Sequence, residues 1–311
     1  KGRNGVLKVH TKRVPLAPEV DLDVIGRGTP GMTGADIENL VNEAALFAAR
    51  QNKERVDMTD FEAAKDKVLM GPERKSMIMS EREKKLTAYH EAGHTVVAKL
   101  LPNCDPIHKV TIIPRGPALG VTQQLPTDDK LCLYKNAILD KIAMAMGGRI
   151  AEELVFQEIS SGASNDIEQA TQLARAMVCR WGMSDKLGPL AFGNREGEVF
   201  LGRDFATRPD YSEDVARQID AEVRQIVIDC YTKAKALLEA NMEILKRIAE
   251  GLLEYETLEA EDVNVLVQGG TLTRERPPPR ITAPPKLEQK KEKRKILDAL
   301  EGLPKMEPNK A

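Results

Sequence analysis

LTAYHEAGHTVVAKLL, residues 86–101, is an apolar stretch that carries two histidines and closes on Pro102. Leu86, Ala88, Ala92, Val96 and Val97 predict a buried helix running from about Glu83 to Leu101. Pro102 stops it. On such a helix His90 and His94 lie on one face, one turn apart. Buried imidazoles need partners, and two of them at this spacing can hold one ion. Gly93 sits just before the second. A glycine inside a helix costs about 1 kcal/mol relative to alanine, so either something approaches the backbone there or the residue is merely tolerated.

Two imidazole nitrogens suit zinc, at distances of about 2.0–2.1 Å. Glu91 follows His90 directly and points to the side of the pair. Zinc lowers the pKa of a water it binds to about 7, and a carboxylate within reach can take the proton. His90, Glu91 and His94 thus form the HExxH pattern of zinc peptidases. Zinc calls for a third protein ligand, and no third histidine follows at HExxHxxGxxH spacing. His108 comes after a helix break and a loop and reads as structural or exposed. The acidic candidates are Glu152 or Glu153 in GGRIAEELVF (147–156) and Asp166 in SGASNDIEQAT (161–171). Asp166 could equally serve the start of a helix, as cap or dipole partner. Spacing does not choose among them. The carboxylate left over would hold an imidazole N–H.

The rest of the chain is ordinary in composition. Of its 311 residues 41% are hydrophobic and 30% charged, with few aromatics, which fits one to three helix-rich domains. A net charge of −2 gives no global field for nucleic acid, so no nucleic-acid partner is expected. Cys104, Cys132, Cys179 and Cys230 are widely spaced, with no CxxC pair, and read as free thiols. No apolar run reaches the roughly 18 residues that would span a bilayer. The chain opens on KGRNG, without methionine, and reads as a piece of something longer.

Organisation follows from composition shifts. Residues 1–72 read as a small helical domain. In it Thr33 caps a helix whose stripe is Ile37, Leu40, Val41, Ala44 and Ala48, and a second helix starts near Met58. Residues 73–85 are charged, follow a Gly-Pro, and read as a linker. Residues 86–272 form a second domain. Its β signal is KVTIIPRGPALGVTQQLP (109–126), where alternating residues flank a Pro-Arg-Gly-Pro turn, and helical patterns follow from about Lys135. Either strand of this hairpin could offer an edge to an extended peptide. Residues 273–311, with PPPRITAPPK and KKEKRK, read as a disordered tail.

These motifs, in order, resemble one family. HEAGH, KVTIIPRGPALG, GGRIAEEL, SSGASNDIEQAT and MVCRWGMSDKLGPL are similar to the FtsH family of ATP-dependent zinc metalloproteases, over roughly residues 1–270. VDLDVIGRGTPGMTGADIENLVNEAALFAAR (20–50) resembles the C-terminal helical lid of that family's AAA ATPase module. The resemblance implies a mainly α fold: a helical AAA lid, then a mostly helical zinc metallopeptidase domain with a small β-sheet. It implies one Zn2+ per subunit held by His90, His94 and Asp166, with Glu91 as catalytic base and Glu152 in support. It implies a homohexamer that takes unfolded protein substrates and degrades misassembled membrane proteins and short-lived soluble proteins. The longer parent would use ATP and Mg2+ and sit in the bacterial inner membrane, through N-terminal spans, with these domains on the cytoplasmic side. Gly34 and Ala35 would approach nucleotide there. No GxxxxGK[ST] loop occurs in this chain, so it should not hydrolyse ATP by itself. The rival expectation is a ring-forming scaffold or binding module with a structural zinc, against which Glu91 argues, since a structural site has no use for a base.

Overall fold

The computed structural model describes residues 2–74, 77, 79–116, 118–126, 132–192 and 211–274. Two hydrophobic cores organise them. The first gathers α1 (Gly2–His10), α2 (Leu22–Arg27), α3 (Gly34–Arg50) and α4 (Met58–Met70) around Leu7, Ile37, Leu40, Val41 and Phe61. Helix α3 starts where Thr33 and Asp36 exchange capping hydrogen bonds, and Asp57 and Asp60 do the same for α4.

The second core is built on α5 (Glu81–Leu100), the histidine helix. Ser80 caps it, with Glu83 reaching back to the Ser80 N–H. Residues 81–85 therefore belong to the helix and not to a linker. Glu81 and Glu83 sit in its first turn, where acidic groups complement the helix dipole. After α5 come β1 (Ile107–Thr111), β2 (Val121–Gln124), α6 (Lys135–Phe156) and α7 (Ser164–Cys179). Then follow α8 (Glu213–Ala240), α9 (Met242–Tyr255), β3 (Thr257–Glu259) and α10 (Ala260–Val267). All four cysteines are free. From residue 275 on, the expected tail lies outside the described residues.

The sheet is antiparallel, in the order β2-β1-β3. The hairpin expected at 109–126 is present, but β1 is central and cannot serve as an edge. Sequence alone missed β3, three residues between two helical patterns. The chain reaches it because Glu256 adopts a left-handed conformation (φ 60°) that ends α9. Among the described residues β2 pairs only with β1. Lys109 of β1 also joins the two cores, its Nζ lying 2.6 Å from Asp66 Oδ2 on α4.

Helices α5 and α6 cross backbone to backbone. A Cβ on Gly93 would lie 2.3 Å from the Gly147 carbonyl oxygen and 2.7 Å from Ala151 Cβ, and one on Gly147 would lie 2.7 Å from the Gly93 oxygen. The glycine is thus required, not tolerated. Gly93→Ala would gain about 1 kcal/mol of helix propensity, yet the overpacking typically costs about 1–3 kcal/mol, and a helix backbone cannot swing aside. The melting temperature should therefore fall by several degrees in a thermal scan. An unchanged or higher value would mean that the crossing can open freely.

Candidate metal centre and its base

His90 and His94 are both buried, on the face of α5 that meets α6. Each imidazole is held through Nδ1. That of His90 lies 2.7 Å from Glu152 Oε1, and that of His94 lies 2.8 Å from the Met144 carbonyl oxygen. A carbonyl can only accept, so the His94 proton sits on Nδ1, and the Glu152 carboxylate draws the His90 proton the same way. The two Nε2 atoms face each other at 3.0 Å. Asp166 comes from the first turn of α7 and places Oδ2 3.3 Å from His90 Nε2 and 3.5 Å from His94 Nε2. It does not cap α7: the position before the helix is Ala163.

Glu152 is fully buried on α6. Its Oε2 accepts the Ser160 N–H at 2.9 Å, so one carboxylate ties His90 to the loop that leads into Asp166. The neighbouring Glu153 turns the other way. It accepts from Tyr231 and, at 2.8 Å, from Lys235 Nζ, both on α8. Adjacent residues on a helix point about 100° apart, which separates two carboxylates that sequence leaves equivalent. His108 is half-buried and its Nε2 has no hydrogen-bond partner among the described residues. It is not among the residues that converge on His90. Gly34 and Ala35 lie exposed at the start of α3, in the other core.

The electrostatics suit a cation. Burial would depress the His90 imidazole, but the Asp166 and Glu152 carboxylates beside it push it up to about 10. Burial would raise the Asp166 carboxyl, but the two imidazoles facing it hold it well below the usual carboxylate range. Glu152 is likewise drawn down, against its burial, by His90 and Ser160. The ligand atoms of His90, His94 and Asp166 all lie within 4.8 Å of one another. Two imidazole nitrogens, each oriented by an outer partner, and one carboxylate oxygen form a donor set that zinc fits, three donors leaving a fourth position for another ligand.

Glu91 is buried on the same helix. Its Oε2 accepts a hydrogen bond from Thr122 Oγ1 of β2 at 2.6 Å. Gly120 lies against the carboxylate: a Cβ there would be 2.7 Å from both Cγ and Oε1 of Glu91. Gly148 does the same for His90, where a Cβ would stand 2.4 Å from Nε2. Thr122, Gly120, Ser160 and the Met144 carbonyl were not foreseen from sequence. Only Gly147-Gly148 left a signal, as two glycines inside a helical pattern.

An HExxH helix with a carboxylate set beside both histidines is the arrangement of a zinc-dependent metallopeptidase centre. Comparison with known proteins makes this specific. Residues 77–266 match peptidase family M41, and residues 19–63 match the AAA+ lid domain. The chain belongs to peptidase family M41. It is 75% identical over 311 residues, all of this chain and 49% of the relative, to the ATP-dependent zinc metalloprotease FtsH of Myxococcus xanthus. It is 59% identical over 274 residues, 88% of this chain and 42% of the relative, to FtsH 4 of Sorangium cellulosum. It is 54% identical over 267 residues, 86% and 41%, to FtsH of Rubrobacter xylanophilus. The chain spans about half the length, or less, of these curated relatives. No described helix is long and apolar enough to cross a membrane.

Proposed function

We propose that this chain is the proteolytic part of a membrane-anchored, ATP-dependent zinc endopeptidase, with His90, His94 and Asp166 as zinc ligands and Glu91 as general base. The observation that carries this is the convergence of the three donors beside a buried glutamate. Zinc, when bound, supplies Lewis acidity toward the scissile carbonyl and the attacking water. Glu91 takes the proton of that water and passes it to the leaving amine. Glu152 and the Met144 carbonyl keep both imidazoles turned toward the metal. Edge strand β2 lies next to the base, through Thr122, and an extended peptide can add to it by main-chain hydrogen bonds. Such binding asks little of side chains, which suits the degradation of many unfolded proteins.

The wider assembly is inferred from the FtsH relatives. Residues 1–72 serve as the lid of an ATPase module, with Gly34 and Ala35 near its nucleotide. A homohexamer threads unfolded proteins toward residues 86–272. N-terminal spans anchor the parent in the bacterial inner membrane, with both modules on the cytoplasmic side. The ligand assignment is tested by zinc affinity in two variants. Glu152→Ala should weaken zinc binding about 10–100-fold, the usual effect of losing an outer partner. Asp166→Ala should weaken it more than that. The reverse order would move the third ligand to Glu152.

A further inference from the structure

Beyond the metal and the base, the geometry points to Thr122 as the positioning residue of Glu91: its hydroxyl holds one carboxylate oxygen and leaves the other to work. This rests on the peptidase function proposed above. Thr122 Oγ1 lies 2.6 Å from Glu91 Oε2 and 3.2 Å from the Glu91 carbonyl oxygen. A hydroxyl has one proton. The carbonyl already accepts from Thr95 Oγ1 at 2.7 Å. The carboxylate oxygen is nearer and charged, and hydroxyl–carboxylate bonds at about 2.5–2.7 Å are the strong, charge-assisted kind. Among the described residues no other group hydrogen-bonds this carboxylate. The Glu91 side chain is buried, and the Thr122 hydroxyl is the hydrogen bond that orients its carboxylate.

The other side of the carboxylate is shaped by an omission. Gly120, two residues before Thr122, has no Cβ to collide with Glu91 Oε1. The segment that enters β2 thus grips Oε2 with a hydroxyl and leaves Oε1 without a hydrogen bond. A base must meet its proton at about 2.6–3.2 Å, and a misplacement of about 1 Å can cost 100-fold in rate. Thr122 is well built for holding still. A β-branched side chain is stiff at χ1, and the backbone of Thr122 is fixed in register opposite Val110 of the central strand.

Thr122→Val keeps the shape and removes the donor, while Thr122→Ser keeps the donor. Steady-state cleavage of an unstructured peptide, with zinc counted per chain, separates the roles. Thr122→Val should lower kcat at least tenfold, with KM within about twofold and zinc unchanged, and Thr122→Ser should restore most of kcat. A fully active Thr122→Val overturns the assignment. So does a Thr122→Ser as impaired as Thr122→Val, because packing would then be the cause. A rise in KM at constant kcat also overturns it, since Thr122 would then shape the peptide-binding strand instead. If the unaltered chain binds zinc and cleaves nothing, the peptidase function fails, and this assignment fails with it. An active parent beside an unaffected Thr122→Val removes the assignment alone.

Discussion

Glu91→Gln is expected to bind one zinc per chain and to cleave unfolded casein about 10²–10⁴-fold more slowly than the unaltered protein, the usual range for loss of a general base. The amide keeps the size of the side chain and can still accept from Thr122 through its carbonyl, so the neighbourhood of the carboxylate persists. It cannot take a proton at neutral pH. His90, His94 and Asp166 converge without Glu91, so zinc should stay. The two readouts fail separately. Zinc lost along with activity would make Glu91 a ligand. Activity within tenfold of the parent would give the base's role to another group. Zinc bound by both, with cleavage by neither, would favour a structural zinc in a scaffold.

Gly148→Ala should weaken zinc binding more than 100-fold without unfolding the chain. The added Cβ would stand 2.4, 2.5 and 2.6 Å from Nε2, Cε1 and Cδ2 of His90. No contact that close survives, so the ring has to move. Moving it breaks the 2.7 Å contact with Glu152 and carries Nε2 away from Asp166. Losing an outer partner alone weakens metal binding about 10–100-fold. Here the ligand atom itself is displaced, so more than 100-fold is expected. Alanine in place of glycine also favours α6 by about 1 kcal/mol, which offsets part of the strain. Helical circular dichroism should change little. Gly34→Ala is the control, since a Cβ there meets nothing within 4 Å. Zinc titration decides: parent-like affinity in Gly148→Ala would mean that the ring sits elsewhere when the ion binds.

Much of this was legible from local pattern. His90, Glu91 and His94 follow from helical period alone, and so do the buried face of α5 and the Thr33 cap of α3. What stayed open was long-range. Asp166 is 76 residues from His90, and nothing in the spacing says which carboxylate arrives. Glu152 and Glu153 look alike in a string and differ by a rotation on α6 that sends one to His90 and the other to Lys235. Strand β3 was invisible because three residues carry no period, so the central place of β1 could not be foreseen. Gly93 was noticed as an anomaly, but its reason, the Gly147 carbonyl, lies on another helix. The FtsH resemblance named Asp166 as a ligand, and the fold sets its carboxylate beside both imidazoles.

The grip on the two imidazole rings has one more consequence. Glu152, Ser160 and the Met144 carbonyl orient the rings through contacts formed by folding itself. The entropy of ordering these ligands is therefore spent before an ion arrives. In small zinc modules the ion drives the fold, and a chelator unravels them. The two apolar cores are built without the metal donors, so a chelator is expected to remove activity and leave the helical circular dichroism in place; unfolding on chelation would show that the ion is needed for the fold.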